Sequence, residues 1–311
     1  MTSRQLLLLT ALALVWGCSF LFIKVIVDSG VDPMGMSAAR TALGALTLVP
    51  FAWSARAGFR QPARTWAALV ALGVLNFAIP WTIFGIAEEH VPSGAAAVAN
   101  ASNPLWSAIL ATLLLRADRL GGQRIAGLGL GFLGVLVLMG EDLTSLSWAE
   151  SGSIALILVA TLCYAGSAVS IRRWLGHVPP TPLATAQVTT AAVLLLPAAL
   201  LTGAYSGADI DTKVISSAVA LGALGSGLAV VAYMYLIQEA GPVRASVVTY
   251  MVPPVGVFLG WLVLDEAIGW NLALALGLIL AGVALVQGVN YRRVPLPLWA
   301  RAAAPSPAAG E

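Results

Sequence analysis

Apolar residues run along this chain in ten long stretches separated by short polar gaps, and the stretches rather than any local periodicity dominate the pattern. They lie near 6–27, 34–54, 66–88, 92–115, 121–140, 151–174, 182–203, 214–238, 242–264 and 270–290. A helix needs roughly 20 apolar residues to cross a bilayer core, so each stretch predicts one transmembrane helix. The expected fold class is an all-α polytopic membrane protein of ten transmembrane helices. Composition agrees: 59% of the 311 residues are hydrophobic and 10% are charged, a balance that leaves no room for a separate soluble domain.

The gaps are not equivalent. Thirteen of the sixteen Lys and Arg residues fall at the N-terminus, in alternate gaps and in the C-terminal tail: Arg4, Arg56, Arg60, Arg64, Arg116, Arg119, Arg124, Arg172, Arg173, Arg244, Arg292, Arg293 and Arg301. The other gaps hold Lys213 and a series of acids that includes Asp28, Asp32, Glu88, Glu89, Glu141, Asp142 and Glu266. Loops rich in Lys and Arg stay in the cytoplasm, which places both termini there. The formal net charge of +2 therefore reports topology, and no nucleic-acid partner follows from it. The first apolar run ends at Lys24 without a small-residue cleavage site and reads as a retained helix. Residues 295–311, rich in Ala and Pro, read as a disordered cytoplasmic tail. Cys18 and Cys163, both at mid-helix depth, read as packing residues.

Shifting the chain against itself by about 150 residues reveals an internal repeat. Glu89, Pro92, Ala95, Val98 and Pro104 fall on Glu239, Pro242, Ala245, Val248 and Pro254, and at a shift of 148 Ser19, Lys24, Asp118, Gly134 and Gly140 fall on Ser167, Arg172, Glu266, Gly282 and Gly288. The domains expected are thus a first five-helix repeat, 1–145, and a second, 146–294. Because five is odd, the second must enter the membrane from the opposite face. Inverted repeats that rock about a central site are a common construction of alternating-access transporters.

LALVWGCSFLFIKV at 12–25, Arg40 early in the second helix, the Pro92–Pro104 segment and DEAIGWNLALALGLILAGVAL at 265–285 together resemble the drug/metabolite transporter superfamily, and specifically its ten-helix EamA-type members. The resemblance spans about 6–290 and looks closest to bacterial inner-membrane exporters of amino acids, aromatic ones included, and other metabolites. It implies export of small metabolites, with no cofactor. Two positions depart from the family pattern: Asp118 stands where the first repeat usually has Glu, and Tyr164 where the sixth helix often has Trp.

Candidate substrate contacts come from depth and chemistry. Trp16, Asn76, Asn103, Tyr164, Ser226 and the Pro253-Pro254 pair share the level of the bilayer midplane, where transporter sites lie. Trp16 and Tyr164 are either substrate-facing rings or helix-packing ones. Pro80, Pro104 and Pro254 each remove a hydrogen bond from the carbonyl four residues back, freeing those of Asn76, Asn100 and Tyr250. With Pro253 they form a set of candidate kinks or hinges around a cavity able to hold an ammonium group, unless neighbouring helices satisfy the carbonyls instead. Lys24 and Arg40 are the two cations inside spans, where charge is costly and suspect of function; each would receive a substrate carboxylate, or snorkel and pair with Asp28, Asp32, Glu88 or Glu89.

No acid occupies the middle third of any span, which argues against coupling through a central carboxylate, and no metal ligand set is evident. Small-residue faces on the fifth helix (Gly127, Gly131, Gly134) and the tenth (Ala273, Gly277, Ala281) suit close packing within the chain or, alternatively, a homodimer. Trp53, Trp66, Trp148, Trp174 and Trp270 read as an interface belt. The leading expectation is an exporter of amino acids, aromatic and other apolar ones included, with the bilayer and a small-molecule substrate as its partners. The alternatives are a membrane-embedded enzyme, disfavoured because both histidines lie in gaps and no GxSxG occurs, and a lipid-handling protein.

Overall fold

The computed structural model describes residues 3–115, 121–138, 148–240 and 248–287. Arg116, Asp118, Arg119, Glu141, Asp142, Arg244 and the tail lie outside them, as do the side chains of Tyr250, Glu239, Trp148 and Arg172. The described residues form ten helical passages, one for each apolar run. They are α1 (Ser3–Asp28), α2 (Pro33–Ser54), α3 (Ala63–Glu88), α4 (Ser93–Asn100, then Asn103–Leu115), α5 (Gly122–Leu138), α6 (Trp148–Ser170, continued by Ile171–Leu175), α7 (Pro180–Thr202), α8 (Thr212–Val219, Ala220–Leu228, Ala229–Ala240), α9 (Val248–Leu264) and α10 (Trp270–Gln287). Five of them, α1, α3, α6, α7 and α8, are long and apolar enough to cross a bilayer on that count alone. Large apolar side chains also cover the outside of the bundle; Leu201 is 88% exposed, Leu7 71% and Leu113 68%. A surface of that kind is soluble only in lipid.

Local chemistry sets the ends. Asp32 caps α2 by accepting from the Met34 amide at 2.8 Å, with Pro33 in the first turn, where its missing N–H costs nothing. Asp211 caps α8 in the same way through Val214. Gly203 ends α7 in the left-handed conformation, φ +70°.

Two passages contain wide, π-helical turns. In α3 these are Val74–Ala78, immediately before Pro80, so that the Ile79 amide bonds the Val74 carbonyl five residues back. In α8 they are Ala220–Leu228, and the Ser226 hydroxyl donates to the Leu221 carbonyl, again five residues back. A wide turn is one way for a helix to absorb a missing or displaced bond. The candidate kinks therefore take three forms. Pro80 follows a wide turn; Pro104 opens the second half of α4 after a break at Ala101–Ser102; Pro253 and Pro254 sit within an uninterrupted α9.

Helix contacts are reciprocal about the sequence shift. α1 packs on α9 as α6 packs on α4, α2 packs on the wide turns of α8 as α7 packs on those of α3, and α2 with α7, α4 with α9 and α5 with α10 pair with their own counterparts. In the last pair a Cβ at Gly282 would stand 2.5 Å from the Gly131 backbone nitrogen, so the two main chains touch. Here the expectation needs correction: the packing face of α10 is Ala275, Ile279, Gly282 and Val283, whereas Ala273, Gly277 and Ala281 face outward.

Candidate functional site

Arg40 projects from the N-terminal half of α2 into the bundle, and only 5% of it is exposed. Its Nε donates to Ser226 Oγ on α8 at 2.7 Å, and its guanidinium carbon lies over Trp81 of α3, 3.7 Å from the ring centre. Ser226 can receive that bond because its own proton goes to Leu221. Close approach of α2 and α8 makes the reach possible: Gly44 sits against Ser226, and Gly222 against Leu43. A buried guanidinium is tolerable only when hydrogen-bonded and stacked. With Nε spent, the two Nη groups retain four N–H donors.

An aromatic cluster adjoins this cation. Trp81 meets Phe77 edge-on at 4.7 Å between ring centres, Phe84 meets Phe20 edge-on at 5.7 Å, and Tyr164 of α6 stacks on Phe84 at 6.4 Å. Tyr164 packs against both large apolar clusters of the bundle and so sits on their boundary. Trp16, one turn before Phe20 on α1, donates from Nε1 to the Gly225 carbonyl at 3.0 Å and meets Tyr233 edge-on at 5.0 Å.

The remaining sequence candidates disperse. Asn76, within the wide turns of α3, donates to the buried Gln187 of α7 at 3.2 Å. Asn103 accepts from Ser107, and the buried Asn100 Oδ1 has no partner among the described residues. Lys24 pairs with Asp28 at 3.1 Å, as anticipated, and also donates to the Glu88 main-chain carbonyl at 2.6 Å. Arg40 does not follow it: it neither snorkels nor pairs with an acid, because Ser226 and Trp81 hold it inward.

Sequence reading missed Trp81 altogether, set Ser226 at the midplane without its partner and misjudged the surroundings of Glu88. Trp81 and Ser226 meet Arg40 only through tertiary packing, across up to 186 residues. Glu88, expected at an accessible helix end, is completely buried, and neither carboxyl oxygen has a hydrogen-bond partner. Its neighbour Glu89 is exposed, though partial burial still pushes that carboxyl above the ordinary carboxylate range.

The connection between α1 and α2 and the start of α2 are laced to the connection between α7 and α8. Asp32 N donates to Ala204 O, Asp209 N to Ser29 O and Tyr205 Oη to Gly35 O, all between 2.9 and 3.0 Å. Glu266, after α9, accepts from the Ser93 and Gly94 amides at the start of α4 at 2.7 and 3.0 Å, a charge-assisted cap supplied from far along the chain.

Comparison with known proteins adds the decisive observation: the model of the EamA-like transporter family matches residues 3–140 and again 151–287. The chain belongs to the EamA-like transporter family. Among its relatives in that family is the uncharacterized inner membrane transporter YedA of Escherichia coli strain K12, 32% identical over 94% of each chain. The probable terminal-alkyne amino-acid exporter of Streptantibioticus cattleyicolor is 26% identical over 93% of this chain and 94% of its own. A solved crystal structure superposes with a TM-score of 0.66 over 94% of this chain and 99% of that one at 19% identity, a likeness of fold. As an EamA-like protein of this kind, the chain is a multi-pass inner-membrane transporter.

Proposed function

We propose that this transporter exports small, partly apolar metabolites by alternating access, with amino acids bearing aromatic or other apolar side chains as the foremost class. The observation that carries the reading is Arg40: a guanidinium enclosed in protein, fixed by Ser226 and Trp81, with its Nη groups left to grip a carboxylate. Beside it Phe84 and Tyr164 supply an aromatic wall against which an apolar side chain would rest. A relative named as a probable amino-acid exporter supports the substrate class.

Alternating access is supported by the repeat in the sequence, by the two stretches matched by the family model and by the reciprocal helix contacts. Export and cytoplasmic termini rest on the family resemblance and on the charge asymmetry of the gaps. The test is reconstitution of the whole chain in liposomes, loading each of a panel of twenty amino acids, and measuring counterflow of the labelled compound. Counterflow of apolar amino acids, abolished by Arg40→Ala, is the expected result; its absence across the panel overturns the amino-acid reading.

A further inference from the structure

We infer that Glu88 receives the ammonium group of the substrate, so that Arg40 and Glu88 together read the two charges of a zwitterionic amino acid. This deepens the amino-acid reading above and rests on it.

Trp81, Phe84 and Glu88 are spaced i, i+3 and i+7 on α3, which puts them on one face of the helix. Arg40 lies over the first of them. The face therefore presents, in order, a cation, an aromatic ring and a carboxyl group. Two turns of helix separate the levels of Trp81 and Glu88 by about 10 Å. An α-amino acid that makes one hydrogen bond through its carboxylate and another through its ammonium spans roughly 8 Å between donor and acceptor, a comparable length. Its side chain would then lie along Phe84 and the stacked Tyr164.

Charge bookkeeping favours a cationic guest. Charged neighbours of Glu88 are Lys24 and Asp28 on α1, Arg40 on α2 and Glu266 beyond α9. Lys24 is committed to Asp28 and to the main-chain oxygen of Glu88, and Arg40 to Ser226 and Trp81. Among the described residues neither cation forms an ion pair with the Glu88 carboxyl, whose two oxygens remain buried and unbonded. Buried polar groups are almost always satisfied, and an unsatisfied one calls for a partner. A primary ammonium offers three donors to the two oxygens. Enclosure of the site fits the stitched loops, which would part to let a substrate leave.

The experiment compares inhibition of labelled phenylalanine counterflow, in liposomes containing the full chain, by phenylalanine, by 3-phenylpropionate (no ammonium) and by phenethylamine (no carboxylate); leucine and 4-methylpentanoate repeat the comparison. Wild type should prefer the zwitterion at least tenfold over either analogue. Glu88→Gln, nearly isosteric, should raise KM for phenylalanine about tenfold or more while 3-phenylpropionate inhibits as well as before or better. Glu88→Asp should restore part of the preference. Size-exclusion profile and melting temperature establish that each variant is folded.

Equal weakening of phenylalanine and 3-phenylpropionate by Glu88→Gln would overturn the assignment. So would unchanged discrimination combined with lost dependence on a pH gradient, which would make Glu88 a proton carrier. If wild type moves no amino acid, the proposed function fails and takes this assignment with it; if it moves amino acids without regard to the ammonium group, this assignment alone fails.

Discussion

The guanidinium carbon of Arg40 lies over the indole of Trp81, 3.7 Å from the ring centre, although the two residues stand 41 positions apart in the chain. A flat, delocalised cation can stack on the ring and still give an edge nitrogen to Ser226; an ammonium cannot do both. Arg40→Lys is therefore expected to impair transport although it keeps the charge. The stacking and the charged hydrogen bond are each worth roughly 1–3 kcal/mol, so a KM increase of about 10- to 100-fold is anticipated. Proteoliposome counterflow measures it, and a KM within twofold of wild type would show that the stack does not matter.

Tyr164→Ala removes the ring that covers Phe84, and Trp16→Ala removes a bond to Gly225 that crosses between the repeats. Tyr164→Ala should shift selectivity away from aromatic amino acids, with a loss of roughly 1–3 kcal/mol for them. Trp16→Phe keeps the ring and deletes the donor, so it isolates the hydrogen bond. If Trp16 packs rather than binds, Trp16→Phe will lower the melting temperature while leaving the order of preferred substrates unchanged. Competition across an amino-acid panel, run with both variants, distinguishes the outcomes.

What the sequence made legible follows from the physics of the solvent. A bilayer demands long apolar runs, so all ten passages were visible, and Pro104 marked the place where α4 breaks. The site was harder. Arg40 and Tyr164 stood out as a cation and a ring inside spans, but Trp81 was one aromatic among ten tryptophans, and Ser226 one hydroxyl in a glycine-rich run. Glu88 carried the wrong signal altogether: its position at a helix end implied access to water, and tertiary packing removes that access. Wide turns had no signature beyond a nearby proline in one case and a serine in the other.

Glu266 and Gly260 form a second testable unit. A Cβ at Gly260 would collide with the Glu266 carboxylate that caps α4. Glu266→Ala should destabilise the protein by roughly 1–3 kcal/mol through loss of charge-assisted bonds, and Gly260→Ala should do so by displacing the same carboxylate. Combined, the two should cost clearly less than their sum. Thermal unfolding in detergent reads all three variants; strict additivity would mean that Gly260 acts elsewhere.

Topology can be tested on positions that the structure shows to be exposed. With Cys18 and Cys163 replaced by Ser, single cysteines at His90 and Ser206 should react with an impermeant maleimide added to intact cells, whereas those at Arg60 and Gly121 should react only after lysis. Gly30 is a poor labelling position, since its φ of +86° disfavours a side chain. Labelling of Arg60 from outside would reverse the orientation deduced from the charges.

The seam between α5 and α10 allows a paired comparison. Gly282→Ala forces a methyl against the Gly131 backbone and should cost about 1–3 kcal/mol. Gly277→Ala meets nothing within 4 Å and should be neutral or stabilising by up to about 1 kcal/mol through helix propensity. Equal melting temperatures for the two variants would contradict the close approach.

That seam also has a mechanical meaning. Along it Gly127, Gly131, Gly134 and Val135 run against Ala275, Ile279, Gly282 and Val283, small or smooth side chains with no polar atom to lock the helices at one angle. In lipid such a contact holds by closeness alone, because the surrounding tails are as apolar as the helices. Turning one helix a few degrees against the other breaks no directional bond. In the alternating-access cycle proposed above, such a surface would act as a bearing, keeping two halves together while leaving them free to pivot.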